Sequence, residues 1–304
     1  MASDQGVEEV AAPARAAGSG AVARDARSET RRPHVTIVQP SRGWVALRLG
    51  DLWSYRELGY LLAWRDVKVR YAQTALGALW AIVQPLTMMA IFALVFGRFA
   101  KLPSGGVPYT LFTLVALVPW NFFASGLTAG SQSMIKSEQL VSKVYFPRML
   151  LPIGAAGSFL LDLAISTALV LVLMPVYGVY PDLRALWLPV IVVLPLTCTF
   201  AVGIFLAAVS VRYRDVAYVV PFLIQIWLFA SPVAYSGTLF PASLQSFIGI
   251  NPMAGSIEGF RWALLGTGPV PSHALGLSAA SCCALLVLSL VYFRRTERYF
   301  ADVI

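Results

Sequence analysis

The raw materials of a soluble enzyme are scarce in this sequence. Charged residues make up 12% of its 304 positions, about half the share usual in soluble domains, which is too little to coat a water-exposed surface. Histidine occurs only as His34 and His273, and neither has an acid or a cysteine at ligand spacing, so no metal site or cofactor is expected. The three cysteines, Cys198, Cys282 and Cys283, fall in apolar runs, where a thiol is a small filler and not part of a disulfide framework. No Gly-x4-Gly-Lys-Ser/Thr loop occurs, so the chain does not bind ATP by that device; if ATP drives it, another subunit supplies the site. The first 40 residues hold no apolar run, so no signal peptide is expected and the first apolar stretch should stay in the protein.

What the sequence has is apolar length. Hydrophobic residues reach 58% and the mean hydropathy is +0.71. Six runs, at 79–99, 109–127, 150–176, 186–211, 216–235 and 274–293, reach or approach the roughly 20 residues that cross a hydrocarbon core about 30 Å thick. A seventh apolar region, 239–265, is broken by Pro241 and by Asn251-Pro252, and neither half is long enough to cross. The expected fold is therefore all-α: a polytopic membrane protein with six transmembrane helices and a re-entrant outer helical hairpin before the last span.

Lys and Arg set the orientation. Of 23, 19 lie before the first run or in alternate gaps and the tail, and four (Arg98, Lys101, Arg184 and Arg261) lie in the other gaps. Without the long N-terminal segment the split is still eight to four. The positive-inside rule then places both termini in the cytoplasm. The net charge of +8 is read as attraction to anionic lipid, not to nucleic acid.

Residues 1–43 are low in complexity and aromatics and are expected to be a disordered cytoplasmic extension. Residues 52–71 differ. Trp53, Tyr60, Trp64, Val67 and Tyr71 share one arc at helical spacing, with Arg56, Arg65, Lys68 and Arg70 around it. This pattern predicts an amphipathic helix lying on the inner membrane surface. The short basic loop 131–147 has room for one helix, which would either connect two spans or dock a partner. Asp162 is the acid that falls within a run, where insertion costs about 2.5–3.5 kcal/mol and demands a partner. With no Lys, Arg or His buried in another run (Arg98 sits at the very end of the first), a structural anchor is favoured over an ion site, and an amide there should keep part of the hydrogen bonds and most of the function. Trp120, Phe122, Phe123, Tyr235, Phe240, Phe260 and Trp262 gather toward the outer halves, as an aromatic belt or as a lining on which sugar rings could stack. Gly126 and Gly130 make a weak small-x3-small pattern.

Several motifs together resemble one family. They are Trp64-Arg65-Asp66-Val67-Lys68-Val69-Arg70-Tyr71, Leu76-Gly77-Ala78-Leu79-Trp80, Gln84-Pro85-Leu86, Lys143-Val144-Tyr145-Phe146-Pro147-Arg148, Asp162, Arg212-Tyr213-Arg214-Asp215-Val216, Ser231-Pro232-Val233-Ala234-Tyr235, Asn251-Pro252-Met253 and Glu258-Gly259-Phe260-Arg261-Trp262. The chain, over 44–304, resembles the type-2 ATP-binding-cassette transporter permeases, in the branch that exports lipid-linked polysaccharides such as O-antigen and teichoic acid. The resemblance implies a permease homodimer above two copies of a separate ATPase, moving a polyprenyl-diphosphate-linked glycan across the cytoplasmic membrane. It implies ATPase coupling through Arg65, Arg70, Lys136, Lys143, Arg212, Arg214 and Asp215. It also implies a transport path or gate at Trp120, Phe123, Tyr235, Phe240, Asn251, Glu258, Phe260 and Arg261. Drug or lipid efflux by a related permease is the alternative within transport. A membrane glycosyltransferase would want several outer carboxylates, and the outer gaps offer only Asp182 and Glu258. A secondary transporter would show midplane charges or an internal repeat.

Overall fold

The computed structural model describes residues 49–72, 79–241, 247–266 and 268–300. The chain parts into two units, Met1–Arg42 and Gly43–Ile304, and the described residues all belong to the second. The expected disordered extension lies outside them, as do Leu76, Gly77 and Ala78 of the second motif.

Helices make up about four-fifths of the described structure, with no strand among the described residues. They run α1 Leu49–Ser54, α2 Arg56–Ala72, α3 Trp80–Phe99, α4 Tyr109–Lys136, α5 Glu138–Lys143, α6 Leu150–Gly157, α7 Leu160–Val176, α8 Leu188–Ile191, α9 Val193–Arg212, α10 Val216–Ala230, α11 Pro252–Leu265 and α12 Ser272–Thr296. Five stretches are long and apolar enough to cross a membrane: α3, α4, α6 with α7 (Leu150–Val176), Leu183–Arg212, and α12. The sixth expected span, α10, is only 15 residues long, about 22 Å of helix. It stops at Ala230 because Pro232 pushes Ser231 out of the helical region, to φ −102° and ψ 148°. The membrane count by length is therefore five, with α10 a short apolar helix.

Around α4 the rest is built. Of its most apolar stretch 78% is buried, against 11% for α3, so α4 is the axis and α3 a peripheral helix. Small residues let its neighbours close in. A Cβ on Gly126 would lie 2.7 Å from Thr199 Cγ2, and one on Gly130 3.6 Å from Gly203 Cα. The weak Gly126-x3-Gly130 signal thus marks the contact of α4 with α6 and α9, as expected where packing in lipid depends on close backbone approach. Toward its C-terminal end α3 changes to π-helix over Ala93–Phe99.

The span at 150–176 is broken. Gly157 ends α6, Ser158 and Phe159 form a turn in which the Phe159 amide reaches Ala156 O at 3.2 Å, and α7 starts at Leu160. No proline causes this break. Beyond α10, α11 is capped at its start by Asn251, which accepts from the Met253 amide at 3.0 Å with Pro252 in the first turn, and ends at Gly266 in the left-handed region (φ 65°). The first arm of the expected hairpin includes 242–246, outside the described residues.

Candidate functional site: two ends of a helical bundle

The basic surface helix resolves into α1 and α2, with two distinct faces. Leu62 and Val67 are buried, and Gly59 lies against Leu150 of α6. Trp53, Tyr60 and Trp64 stay exposed at 72%, 65% and 44%. Tyr60 and Trp64 stack at 6.4 Å, and Lys68 Nζ lies 5.9 Å from the Trp64 ring. The helix is packed on the bundle and still offers its aromatics outward, as a headgroup-level helix would.

Arg70 turns inward. Its Nη1 donates to Asp162 Oδ2 at 2.7 Å, its Nη2 to Ser158 Oγ at 2.7 Å, and its guanidinium lies 3.4 Å from the Phe159 ring centre. Tyr71 Oη donates to the other Asp162 oxygen. Burial, then the Asp162 carboxylate, pushes the Tyr71 phenol up, which keeps it a neutral donor. Asp162 therefore has a cationic partner that the spans themselves do not contain. The expected stand-in by an amide loses its basis, because a guanidinium bonds a carboxylate much more strongly than an amide. A cavity of about 230 Å³ adjoins this pair, and Asn121 lines it with a buried amide nitrogen that has no protein partner.

The remaining candidates for ATPase coupling are exposed. Arg65 pairs with Asp66 at 2.8 Å; Lys136 closes α4 and Lys143 closes α5. Arg212, Arg214 and Asp215 sit on the tight turn between α9 and α10. Arg65, Arg70 and Lys136 line one groove of about 740 Å³ between α2, the end of α4, α5 and α6. Beyond it Val144 and Tyr145 are bare, at 51% and 79%.

At the other end the polar candidates hold the chain together. Arg261 is 2% exposed, and donates to the carbonyls of Val233 at 2.7 Å, Tyr235 at 3.0 Å and Phe112 at 3.4 Å, with Glu258 Oε1 3.5 Å away. Burial pulls its guanidinium down to about 10 against the opposing pull of Glu258, so it is still a cation at neutral pH. Glu258 also accepts from the Gly237 amide at 3.0 Å. Asn251 accepts from Trp227 Nε1 at 2.9 Å and donates to Ser231 Oγ at 2.9 Å. These bonds collect the polar groups that the chain exposes where α10 ends at Ser231-Pro232. Trp120, Phe123 and Phe260 are 4%, 0% and 0% exposed and face the protein interior; Phe123 meets Trp227 edge-on at 5.0 Å. Tyr235 meets Phe240 edge-on at 5.4 Å.

The sequence reading missed the faces that are bare. On α10, Tyr218, Phe222, Ile226 and Phe229 are 52–82% exposed, with Gln225 beside them. On α3, Trp80, Ile91, Leu94 and Val95 are exposed, with Gln84 and Thr87. The signal was Gln84 and Gln225, amides within apolar runs, which should face something other than lipid.

Comparison with known proteins agrees with this architecture. Over residues 57–265 the chain matches the family model described as ABC-2 type transporter. It is 30% identical over 257 residues to the O-antigen export system permease protein RfbA of Myxococcus xanthus, covering 83% of this chain and 98% of that one. To the protein of the same name from Klebsiella pneumoniae it is 28% identical over 255 residues, 81% of this chain and 97% of the other. To the polysialic acid transport protein KpsM of Escherichia coli it is 23% identical over 240 residues, 77% and 91% of the two. With the match running from α2 through α11, this chain belongs to the ABC-2 type transporter family.

Proposed function

We propose that this chain is the membrane permease of an ATP-driven exporter that moves a polysaccharide, carried on a polyprenyl diphosphate lipid, out across the cytoplasmic membrane. The observation that carries the proposal is the near end-to-end match to O-antigen export permeases. Residues 44–304 form the transmembrane domain, and both termini face the cytoplasm.

Two copies of the chain act with two copies of a separate ATPase. The bare faces of α3 and α10 support the pairing. Side chains such as Tyr218, Phe222, Gln225 and Gln84 suit contact with a second copy and with a glycan, since aromatic faces stack on sugar rings and amides bond hydroxyls. The ATPase engages Arg65, Lys136, Lys143 and the turn Arg212–Asp215, with exposed Val144 and Tyr145 adding apolar contact. Burial of Trp120, Phe123 and Phe260 supports a path along the surface between two chains over one through the core of a single chain.

Deleting the gene in its own cell tests the reading. Surface polysaccharide should disappear and lipid-linked glycan accumulate inside, with recovery when the gene is restored. The purified chain should show no ATP hydrolysis until its ATPase is added. Unchanged surface glycan in the deletion strain would end this reading.

A further inference from the structure

Arg70 bridges a break in a span. On one side of the break α6 is fixed to the surface helix. A Cβ on Gly154 would lie 3.3 Å from Leu62 Cβ and 3.5 Å from the Gly59 carbonyl, so the two helices meet backbone to backbone. At the break, Ser158 and Phe159 are joined by a single tight turn, the local form taken by hinges inside helices. On the far side α7 begins, and Asp162 lies in its first turn. Arg70 reaches all three places: it bonds Ser158 and Asp162 and covers the Phe159 ring, while Tyr71 takes the second Asp162 oxygen. Ser158 Oγ in turn donates to Ala155 O at 2.7 Å, which ties the network back into α6.

We infer that Arg70, Tyr71 and Asp162 form a strap that fixes the angle between α6 and α7, so that displacement of the surface helix passes into α7 instead of being absorbed at Ser158–Phe159. The inference rests on the reading of α2 as a face on which the ATPase acts. Two elements meeting at an unlocked hinge cannot transmit a push; one guanidinium that bonds Ser158 at the break and Asp162 beyond it makes them one lever. The three residues are positioning residues. Their effect is on which motions α7 follows.

The test is a distance measurement. Spin labels at Glu57 on α2 and Val172 on α7, both exposed, are placed in the full chain in lipid vesicles. The unaltered strap should give one narrow distance. Asp162→Asn is isosteric, so it preserves packing and removes the charge; it should broaden the distribution, and Asp162→Glu should restore much of the narrowness. In cells, with the ATPase still co-purifying, Asp162→Asn should lower glycan exported per ATP by about 5- to 150-fold, the span of ordinary coupling energies. Should Asp162→Asn fail to fold, Tyr71→Phe combined with Ser158→Ala keeps the ion pair, loses three of the bonds, and should broaden the distance in lesser degree. Equal widths in the strapped and altered chains, or full export by Asp162→Asn, would overturn the inference. The vesicle measurement uses neither ATPase nor glycan, so its failure leaves the proposed function standing. Normal surface glycan in the deletion strain strikes that function alone.

Discussion

Arg261 illustrates how one side chain settles a local fold. The chain leaves α10 at Ser231-Pro232 with carbonyls pointing inward, and Arg261 takes those of Val233 and Tyr235 together with that of Phe112. A buried carbonyl left without a donor costs about 1–3 kcal/mol. Arg261→Met keeps much of the stem and removes all the donors. Its thermal midpoint should fall by 5 °C or more, at about 2–4 °C for each kcal/mol, measured by fluorescence-detected size exclusion after heating. Arg261→Lys should recover only part, since one ammonium cannot span carbonyls that a planar fork reaches. A midpoint unchanged in the Met variant would remove Arg261 from its structural role. Asp162 makes the same point from the other side. The sequence marked it as needing a partner but not that the partner was Arg70, because the two are 92 positions apart and belong to different kinds of helix.

Among the elements, turns and breaks carry more meaning than spans. The turn between α9 and α10 leaves Arg212, Arg214 and Asp215 exposed, so a change at Arg214 acts on whatever meets that surface and little on the fold. Arg214→Glu should leave stability within about 0.5 kcal/mol. It should also weaken ATPase retention about three- to tenfold, from one reversed contact at a partly solvated interface. Pull-down at two salt concentrations reads this out, since a charge contact fades with screening. Unchanged retention at low salt would leave Arg214 with only its share in membrane orientation. α10 shows where run length misleads. The apolar run at 216–235 continues through Val233 and Ala234, but Pro232 ends the helix first, and the last residues become a buried outer turn.

At the scale of the molecule, the side of the membrane that each loop faces is open to test. The Lys and Arg distribution predicts 137–143 inside and the start of α12 outside. Cysteines placed at exposed Ser142 and Ser272, after replacement of exposed Cys283, provide the check. In intact cells an impermeant thiol reagent should label position 272 and spare position 142 until the membrane is opened. Labelling of position 142 from outside would invert the orientation. Cys198 and Cys282 are buried and should stay silent.

Membrane class, helical content, the location of most spans and the family were all legible in the sequence, because apolar length and charge distribution are properties of the chain itself and lipid leaves the backbone few alternatives. The small-residue pair Gly126 and Gly130 was legible too, though its partners Thr199 and Gly203 were not. Tertiary structure alone decided which aromatic faces are bare. Trp120 and Phe222 are equally apolar in sequence, yet one is 4% and the other 65% exposed. In helices this apolar, single amides such as Gln84 and Gln225 are a thin signal for which side meets protein and which meets lipid or a second chain, so packing around α4 assigns them. The break at Ser158–Phe159 had only a thin sequence signal, the Gly157-Ser158 pair, and that Arg70 from another helix bonds Ser158 and Asp162 around it was not legible.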